Sequence, residues 1–278
     1  MPLSSPSGFS VIICSMDALK FAQASMNYER LLAGYPHEII GIHDATSLAE
    51  GYNRGMARAG GDILIFSHDD VLILDTGFAA KTSARLQDHD LLGFCGTDLL
   101  LGPGWVGAGP PHLVGAVAHV QERALLLTVY GIADWPVAGN IQALDGFCLM
   151  TTRVAARATG FDADAFDGFH LYDLDFSFAA HLAGYRLGVC CDMPLIHAST
   201  GNFRAPQFAR AAQRFARKYA AHLPDIPVYD GSKGKATLFQ DYHAVVNTWT
   251  EDILKRAAYR HSQQPSRKPV DTDLSHGT

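Results

Sequence analysis

The sequence predicts an α/β fold in which helices flank a mostly parallel sheet. Short apolar runs rich in β-branched residues alternate with helix-like segments, a pattern typical of βαβ units with right-handed crossovers. The chain has 278 residues, of which 48% are hydrophobic and 18% are charged. A chain of this size and composition buries a large core without disulfides or a structural metal.

Four apolar runs in the first half predict strands that are buried on both faces. They are Phe9–Cys14, Glu38–Ile42, Asp62–Phe66 and Leu91–Phe94. Between the second and third runs, Ser47–Ala59 predicts a helix despite its glycines, with Gly60 and Gly61 as the C-cap.

The middle of the chain predicts a long loop, because Asp98–Gly115 contains five glycines and three prolines. Loops of this length in compact domains are usually functional or disordered, and Trp105 at its centre favours a lid. The pattern then predicts further regular elements. They are a strand at Asp145–Thr151, a helix at Tyr172–Ala183 and a final strand at Arg186–Cys191.

Two amphipathic segments predict a C-terminal helical extension, Pro206–His222 and Leu238–Arg260. The tail from His261 has almost no apolar content, which is typical of disorder. We therefore expect a catalytic domain over residues 1–203, a helical extension over 204–260 and a disordered tail over 261–278.

Charge and composition exclude several classes of function. A formal net charge of −6 argues against a nucleic-acid-binding surface. The five cysteines form no CxxC pair, so a disulfide framework or thiolate zinc site is not expected and a cytoplasmic location fits best. We find no targeting segment, and the longest apolar stretch, Ala124–Leu144, contains Asp134, Pro136 and Asn140, so no membrane span is expected.

The segment His68-Asp69-Asp70 follows the third predicted strand, where ligands bind in open α/β sheets. Residues i and i+2 of an extended chain point the same way, which pairs His68 with Asp70 and turns Asp69 aside. An imidazole and a carboxylate on one face can hold a divalent metal against a diphosphate. The alternative is that the two aspartates only form the turn after the strand.

Three further positions carry polar groups at predicted element ends. Asp145-Gly146 opens a predicted strand, with an ordinary turn as the alternative, and His197 follows the last predicted strand. Asp173 and Asp175 lie at a predicted helix start, where either could be an N-cap or a general base. For His197 the alternative is an ordinary, partly buried histidine.

Taken in chain order, the motifs of this sequence resemble those of glycosyltransferase family 2, whose nucleotide-sugar-binding fold is called GT-A. The resemblance runs from Phe9 to Phe203. It rests on VIICSMD, IGIHDAT, YNRGMARA, GDILIFSHDDV, LDGFCLM, FHLYDLDFSFAAHLAGYRLGV and LIHASTG. No Walker A loop, GxGxxG, GxSxG or HExxH motif is present.

The resemblance implies roles for individual residues. Asp70 matches the last residue of the family's Asp-x-Asp metal motif, His68 stands where the first Asp would be, and His197 completes the metal site in some relatives. Tyr172-Asp173 stands where many members have Glu-Asp, whose Asp is the catalytic base. Asp44 resembles the residue that binds the base or ribose. The implied nucleotide-sugar-binding residues are Cys14, Ser15, Asp17, Asp44, Asn53, Asp69, Trp105, Asp145, Gly146, Tyr172 and Asp175.

The implied reaction is sugar transfer with inversion, from a UDP- or GDP-sugar to a glycan or glycoconjugate, assisted by Mn²⁺ or Mg²⁺. A homo-oligomer stays open. Two rival classes also stay open at this point. One is a metal-dependent hydrolase built from His43, Asp44, His68, Asp70 and His197, and the other is a non-catalytic relative that binds a nucleotide sugar or a partner.

Overall fold

A computed structural model of the protein describes residues 8–131, 134–199 and 205–249. The strands are β1 (Phe9–Cys14), β2 (His37–Ile42), β3 (Ile63–Ser67), β4 (Val71–Ile73), β5 (Leu91–Gly93), β6 (Cys95–Thr97), β7 (Leu113–Gln121), β8 (Ala124–Gly131), β9 (Val137–Ala138), β10 (Ala143–Leu144), β11 (Cys148–Thr152), β12 (Leu187–Cys190), β13 (Leu195–His197) and β14 (Lys235–Phe239). The helices are α1 (Ala18–Leu31), α2 (Leu48–Arg58), α3 (Phe78–Arg85), α4 (Arg153–Thr159), α5 (Tyr172–Leu182) and α6 (Pro206–Lys218), with a 3₁₀ turn at Trp105–Ala108. The α/β class is confirmed.

The first sheet has the strand order β2-β1-β3-β11-β5-β12-β9. β1 runs parallel to β2 and β3, and β5 runs parallel to β12. β11 is antiparallel to both its neighbours, and β9 is antiparallel to β12. The apolar runs predicted as buried strands form this sheet, because a strand covered on both faces has no polar side.

Helix α2 packs against β1 and β2. The glycines of this helix allow its backbone to approach the two strands closely. A Cβ on Gly55 would lie 2.3 Å from Cγ2 of Ile12, and one on Gly51 would lie 2.5 Å from Sγ of Cys14. The helix therefore forms with glycine in its interior because side chains there would push it off the sheet. Ser47 caps its first turn by accepting a hydrogen bond from the Glu50 N–H.

A second, largely antiparallel sheet was not predicted. Its strand order is β10-β6-β7-β13-β4, with β8 paired to β7 and β14 paired to β8. β7 begins at Leu113, so the predicted loop ends earlier than Gly115. The strand at Arg186–Cys191 is likewise not the last, since β13 follows and pairs with β4, which places His197 opposite Val71.

The C-terminal extension agrees with the sequence only in part. α6 confirms the first predicted helix. The second prediction is wrong at its start, because Leu238 lies in β14, which pairs with β8, and the helix is described over residues 242–249. Indole Nε1 of Trp249 donates to the Cys191 carbonyl at 3.0 Å, which ties this segment to the sheet domain. The predicted tail lies outside the described residues.

Among the described helices, none is long and apolar enough to cross a membrane.

Candidate active site

A cleft of about 300 Å³ opens beyond the carboxyl ends of β1, β2 and β3. Its walls include Cys14 and Ser15 after β1 and His68, Asp69 and Asp70 after β3. Parallel strands β1 and β3 bring these two chain segments together, as the strand-end argument predicts.

Three side chains at this cleft form a cluster. Nδ1 of His68 lies 3.2 Å from Nε2 of His197, and the same Nε2 lies 3.3 Å from Oδ1 of Asp70. The three ligand atoms lie within 4.8 Å of one another. The pairing of β13 with β4 brings His197 to the segment that follows β3.

The hydroxyl of Tyr172 orients His68. This hydroxyl lies 3.2 Å from the Gly146 carbonyl, which can only accept, and 2.6 Å from Nε2 of His68. If the Tyr172 proton points at that carbonyl, the short contact is a donation by the His68 Nε2–H. That assignment leaves Nδ1 unprotonated and its lone pair directed at the cluster.

The electrostatics of the cluster suit a cation. Burial as the main cause, and the neighbouring His197 as the second, lower the pKa of His68 to about 3, so the His68 ring is neutral at physiological pH. Burial raises the pKa of Asp70, but hydrogen bonds from His197 and Ser199 outweigh it and leave that pKa below its usual value. A neutral imidazole and an ionised carboxylate are the forms that bind metal.

A divalent cation fits this donor set. A single proton on Nε2 of His197 cannot form straight hydrogen bonds to both Nδ1 of His68 and Oδ1 of Asp70. One cation between the three atoms satisfies all of them. Two imidazoles and one carboxylate suit a transition-metal ion better than Mg²⁺, which prefers oxygen ligands.

Neighbouring groups, which the sequence did not single out, hold His197 and Asp70 in place. The Ser199 backbone N–H donates to Oδ2 of Asp70 at 3.0 Å. Nδ1 of His119 lies 2.9 Å from the His197 carbonyl, and the Phe147 ring stacks on His197 with centroids 5.0 Å apart. His119 is the lone ionisable residue within the apolar run of β7, which is the only signal that could have indicated it.

Asp69 faces away from the cluster. Its Oδ2 accepts a hydrogen bond from Oγ of Ser15 at 2.6 Å, which joins the ends of β3 and β1 across the cleft. Residues 68 and 70 lie on one side and residue 69 on the other, as the spacing predicts, but Asp69 and Asp70 lie in the turn that follows β3 rather than in an extended segment. The alternative that the two aspartates form this turn is therefore confirmed as well.

Asp173 lies in the first turn of α5, close to the backbone of Gly146. Its Oδ2 accepts a hydrogen bond from the Gly146 N–H at 2.8 Å. Burial first, and the nearby Asp145 carboxylate second, raise the pKa of Asp173 to about 7. A carboxylate with such a pKa can take up a proton near neutral pH, as a general base must.

The alternative that Asp173 or Asp175 is an N-cap is wrong. The residue at the cap position of α5 is Leu171, which has a left-handed φ of 63° and makes no side-chain cap bond. Asp175 is only 1% exposed. Its Oδ1 lies 2.7 Å from the Tyr219 hydroxyl and 2.6 Å from Nζ of Lys218. Asp175 therefore links α5 to α6, and we do not carry it into the proposed donor site.

Asp145 lies in the turn between β10 and β11 rather than in the predicted strand. Its Oδ2 accepts a hydrogen bond from Nε1 of Trp105 at 2.9 Å. The Trp105 ring is 8% exposed and meets the Tyr130 ring edge-on at 4.7 Å. Trp105 is thus a buried anchor of its loop, whereas the sequence favoured a lid.

The remaining predicted donor-site residues are engaged in local contacts. Asp17 caps α1 by accepting hydrogen bonds from the N–H groups of Leu19 and Lys20. Asp44 is exposed and pairs with Arg54 at 2.8 Å. Asn53 exchanges hydrogen bonds with the backbone of Phe161, at 2.7 and 3.0 Å, which makes it a bridge between α2 and the segment before α5.

The five-residue hydrolase set is not assembled. Nδ1 of His43 lies 2.9 Å from the Ser15 carbonyl, and the His43 ring packs on Phe21. Asp44 is held by Arg54. In the described part of the chain, the metal-type cluster contains His68, Asp70 and His197 alone.

A family model described as a glycosyltransferase-like family matches residues 10–219. The chain belongs to this family. The match includes all of α6 and both sheets, except β14 and the first residue of β1. It therefore contains every residue of the cluster as well as Asp173. No curated protein matches the chain significantly.

Several solved structures similar to this glycosyltransferase-like chain contain a nucleotide or a nucleotide sugar. A mannosyltransferase from Pyrobaculum calidifontis, in complex with GDP-Man and Mn²⁺, is 15% identical with a TM-score of 0.48, covering 96% of this chain and 78% of that one. A Drosophila galactosyltransferase 7 mutant with manganese, UDP-Gal and xylobiose is 12% identical with a TM-score of 0.41, covering 80% and 77%. TarS from S. aureus with UDP is 12% identical with a TM-score of 0.46, covering 90% and 71%.

Proposed function

We propose that the protein is an inverting glycosyltransferase that moves a sugar from a UDP- or GDP-sugar to an acceptor hydroxyl. One observation carries the proposal. The metal-type cluster and a carboxylate with a pKa of about 7 meet at one residue, Gly146. Its carbonyl accepts from the Tyr172 hydroxyl, which contacts His68, and its N–H donates to Asp173.

In the proposed reaction, Asp173 accepts the proton of the acceptor hydroxyl. The acceptor oxygen forms a bond to the anomeric carbon on the face opposite the diphosphate, and the bond from that carbon to the diphosphate oxygen breaks. The electron pair of the broken bond leaves with the diphosphate. His68, Asp70 and His197 would hold the cation, which supplies Lewis-acid stabilisation of the leaving-group charge.

The donor would lie in the cleft between the β1 and β3 ends. Cys14, Ser15 and Asp17 would contact the nucleoside, with Asp44 at its outer edge. Burial raises the pKa of the Cys14 thiol to about 12, so it would act as a neutral apolar contact rather than as a nucleophile. Asp145 and Gly146 would lie near the transferred sugar and its phosphates.

The test is a thermal-shift series with UDP, GDP and their sugars, each with and without Mn²⁺. At a ligand concentration of about 100 times Kd, binding to the folded state adds about 2.7 kcal/mol to stability. We expect one nucleoside diphosphate to stabilise the protein strongly only with Mn²⁺. If no nucleoside diphosphate or nucleotide sugar stabilises the protein, either with or without Mn²⁺, the proposal fails.

An assay of hydrolysis distinguishes the proposed transferase from the rival metal-dependent hydrolase. A transferase should release nucleoside diphosphate faster when an acceptor is supplied, whereas a hydrolase needs none. Cleavage of simple phosphodiesters at the same rate with and without sugars would favour the hydrolase.

A further inference from the structure

A second cavity of about 210 Å³ adjoins the cleft, between the loop of residues 166–170 and the first turns of α6. The Phe169 ring lines both cavities, and this residue is 54% exposed. Phe166, which lines the same cavity, is buried and its ring packs against that of Phe215 in α6. An exposed aromatic ring on a firmly packed loop offers a rigid flat surface to a ligand that extends from the cleft.

The polar groups of this cavity are free to bind a ligand. Within the described part of the chain, His170, Gln207 and Arg210 make no side-chain hydrogen bond and no ion pair with another residue. Burial lowers the pKa of His170, so its neutral ring presents one donor and one acceptor. Together these side chains present amide, imidazole and guanidinium groups beside an aromatic ring, which suits the hydroxyl-rich, partly apolar surface of a sugar.

The charges in the cavity favour an anion. Asp167 is neutralised by Arg214, whose NH1 lies 2.6 Å from its Oδ1. Arg210 lies one helical turn before Arg214 and carries a second positive charge that lacks an ion-pair partner within 4 Å in the described residues. A guanidinium binds carboxylate and phosphate groups with two parallel hydrogen bonds. Both arginines lower the pKa of Asp167, and counting Arg214, which lies outside the cavity lining, the two guanidinium groups leave one positive charge in excess over this carboxylate.

The cavity also lies within reach of the proposed base. His170 precedes Asp173 by three residues, so their Cα atoms are at most about 11 Å apart even in a fully extended chain. The left-handed turn at Leu171 makes the separation shorter. Asp173 itself lines neither the cleft nor this cavity, so a ligand seated in the cavity would extend towards it to bring a hydroxyl of the same or the next sugar unit within reach.

We propose that this cavity is the acceptor subsite and that it binds a sugar unit bearing an anionic group, either a carboxylate or a phosphate. Phe169 stacks on the sugar ring, Arg210 binds the anion, and His170 and Gln207 hydrogen-bond to the hydroxyls. This inference rests on the proposed transfer reaction and names the class of its acceptor.

The experiment measures binding of small probes to the full-length protein by NMR titration. The probes are methyl glucuronide, methyl glucoside 6-phosphate and neutral methyl glucoside. We expect at least one anionic probe to bind about tenfold tighter than the neutral probe, because a charge-assisted hydrogen bond is about twice as strong as a neutral one. The two anionic arms distinguish a uronic acid from a sugar phosphate.

Arg210→Gln should remove most of that preference, and Arg217→Gln is the matched control. Arg217 lies two turns further along the exposed surface of α6 and does not line the cavity. Loss of the preference in Arg210→Gln alone supports the proposal. Equal binding of neutral and anionic probes, an equal effect of the two variants, or no binding of either anion overturns it. Nucleotide binding with Mn²⁺ is measured on the same samples, so failure of the subsite is distinguished from failure of the transferase proposal.

Discussion

The substitution Asp173→Asn should raise stability and abolish transfer, and these opposite effects make it a sharp test of the catalytic base. The amide oxygen of Asn can still accept the hydrogen bond that the Gly146 N–H donates at 2.8 Å. What the substitution removes is the negative charge that burial and Asp145 disfavour. It also removes the ability to take up a proton.

The size of the catalytic effect follows from the role of the residue. Loss of a general base reduces the rate by about 10²–10⁴. In the unsubstituted protein a base with a pKa of about 7 is ionised in about one molecule in eleven at pH 6 and about ten in eleven at pH 8, so transfer should rise about tenfold over that interval. A carboxylate with the ordinary pKa of 3.8 would give no such rise.

The sign of the stability effect follows from the same pKa. Because the pKa in the folded state lies above the ordinary value of 3.8, the folded protein holds this proton more tightly than the unfolded chain. The contribution of this bound proton to the free energy of unfolding is lost as the pH rises from about 4 through about 7. Asp173→Asn should therefore melt at a higher temperature than the parent at pH 8, and at nearly the same temperature at pH 4.

The assays are thermal melts at pH 4 and pH 8, calorimetric nucleotide binding, and transfer rates from pH 6 to pH 8. Asp175→Asn is the matched control on the same helix. Burial raises the pKa of Asp175 as well, against the opposing contacts with Lys218 and Tyr219, so this variant should also be more stable at pH 8, but it should keep its transfer activity. Asp145→Asn should shift the midpoint of the pH profile downwards, since it removes the second cause of the raised pKa. An Asp173→Asn protein that is less stable at pH 8, or that retains transfer, would refute the assignment.

Two further variants test the rest of the site. Asp70→Asn should weaken Mn²⁺ binding, measured by calorimetry with MnCl₂ alone, by more than about 100-fold. Asp69→Asn should leave Mn²⁺ binding nearly unchanged, because Asp69 accepts a hydrogen bond from Ser15 instead. An equal loss in the two variants would contradict the assignment of Asp70 as a metal ligand. Gly146→Ala should abolish transfer, because its Cβ would lie 2.3 Å from the Asp173 Cβ. Gly102→Ala, which meets nothing within 4 Å, should be silent in the same assay, and a loss there would attribute the effect to general instability.

Most of the first sheet could be predicted because its central strands are buried on both faces and their apolar runs are therefore continuous. The two-residue edge strand β9 offers no such run and was not predicted. The second sheet could not be predicted from local patterns. β7 begins within a stretch rich in glycine and proline, and β13 depends on pairing with β4, which lies far away in the chain. Leu238 shows the same limit, since its helical pattern yields to the pairing of β14 with β8.

Within the site, the pairing of His68 with Asp70 was predicted from their spacing, although Asp69 and Asp70 lie in the turn after β3 and not in the extended segment that the prediction assumed. His197 was assigned a role only through the family resemblance, since its position depends on the pairing of β13 with β4. The choice between a cap and a base at Asp173 needed the backbone of Leu171. Its left-handed conformation has no signal in the sequence, because leucine rarely adopts it.

The turn at Asp145-Gly146 connects parts of the site that come from distant segments of the chain. Gly146 bonds Tyr172 through its carbonyl and Asp173 through its N–H, while Asp145 accepts the Trp105 indole N–H. The long loop between β6 and β7 therefore acts on the proposed base through Asp145, whose charge helps to raise the pKa of Asp173. A displacement of this one turn would alter the orientation of His68 and the proton affinity of Asp173 together. The proposed metal site and the proposed base are thus positioned by the same few backbone atoms, and we expect substitutions in the turn to impair metal binding and transfer in parallel.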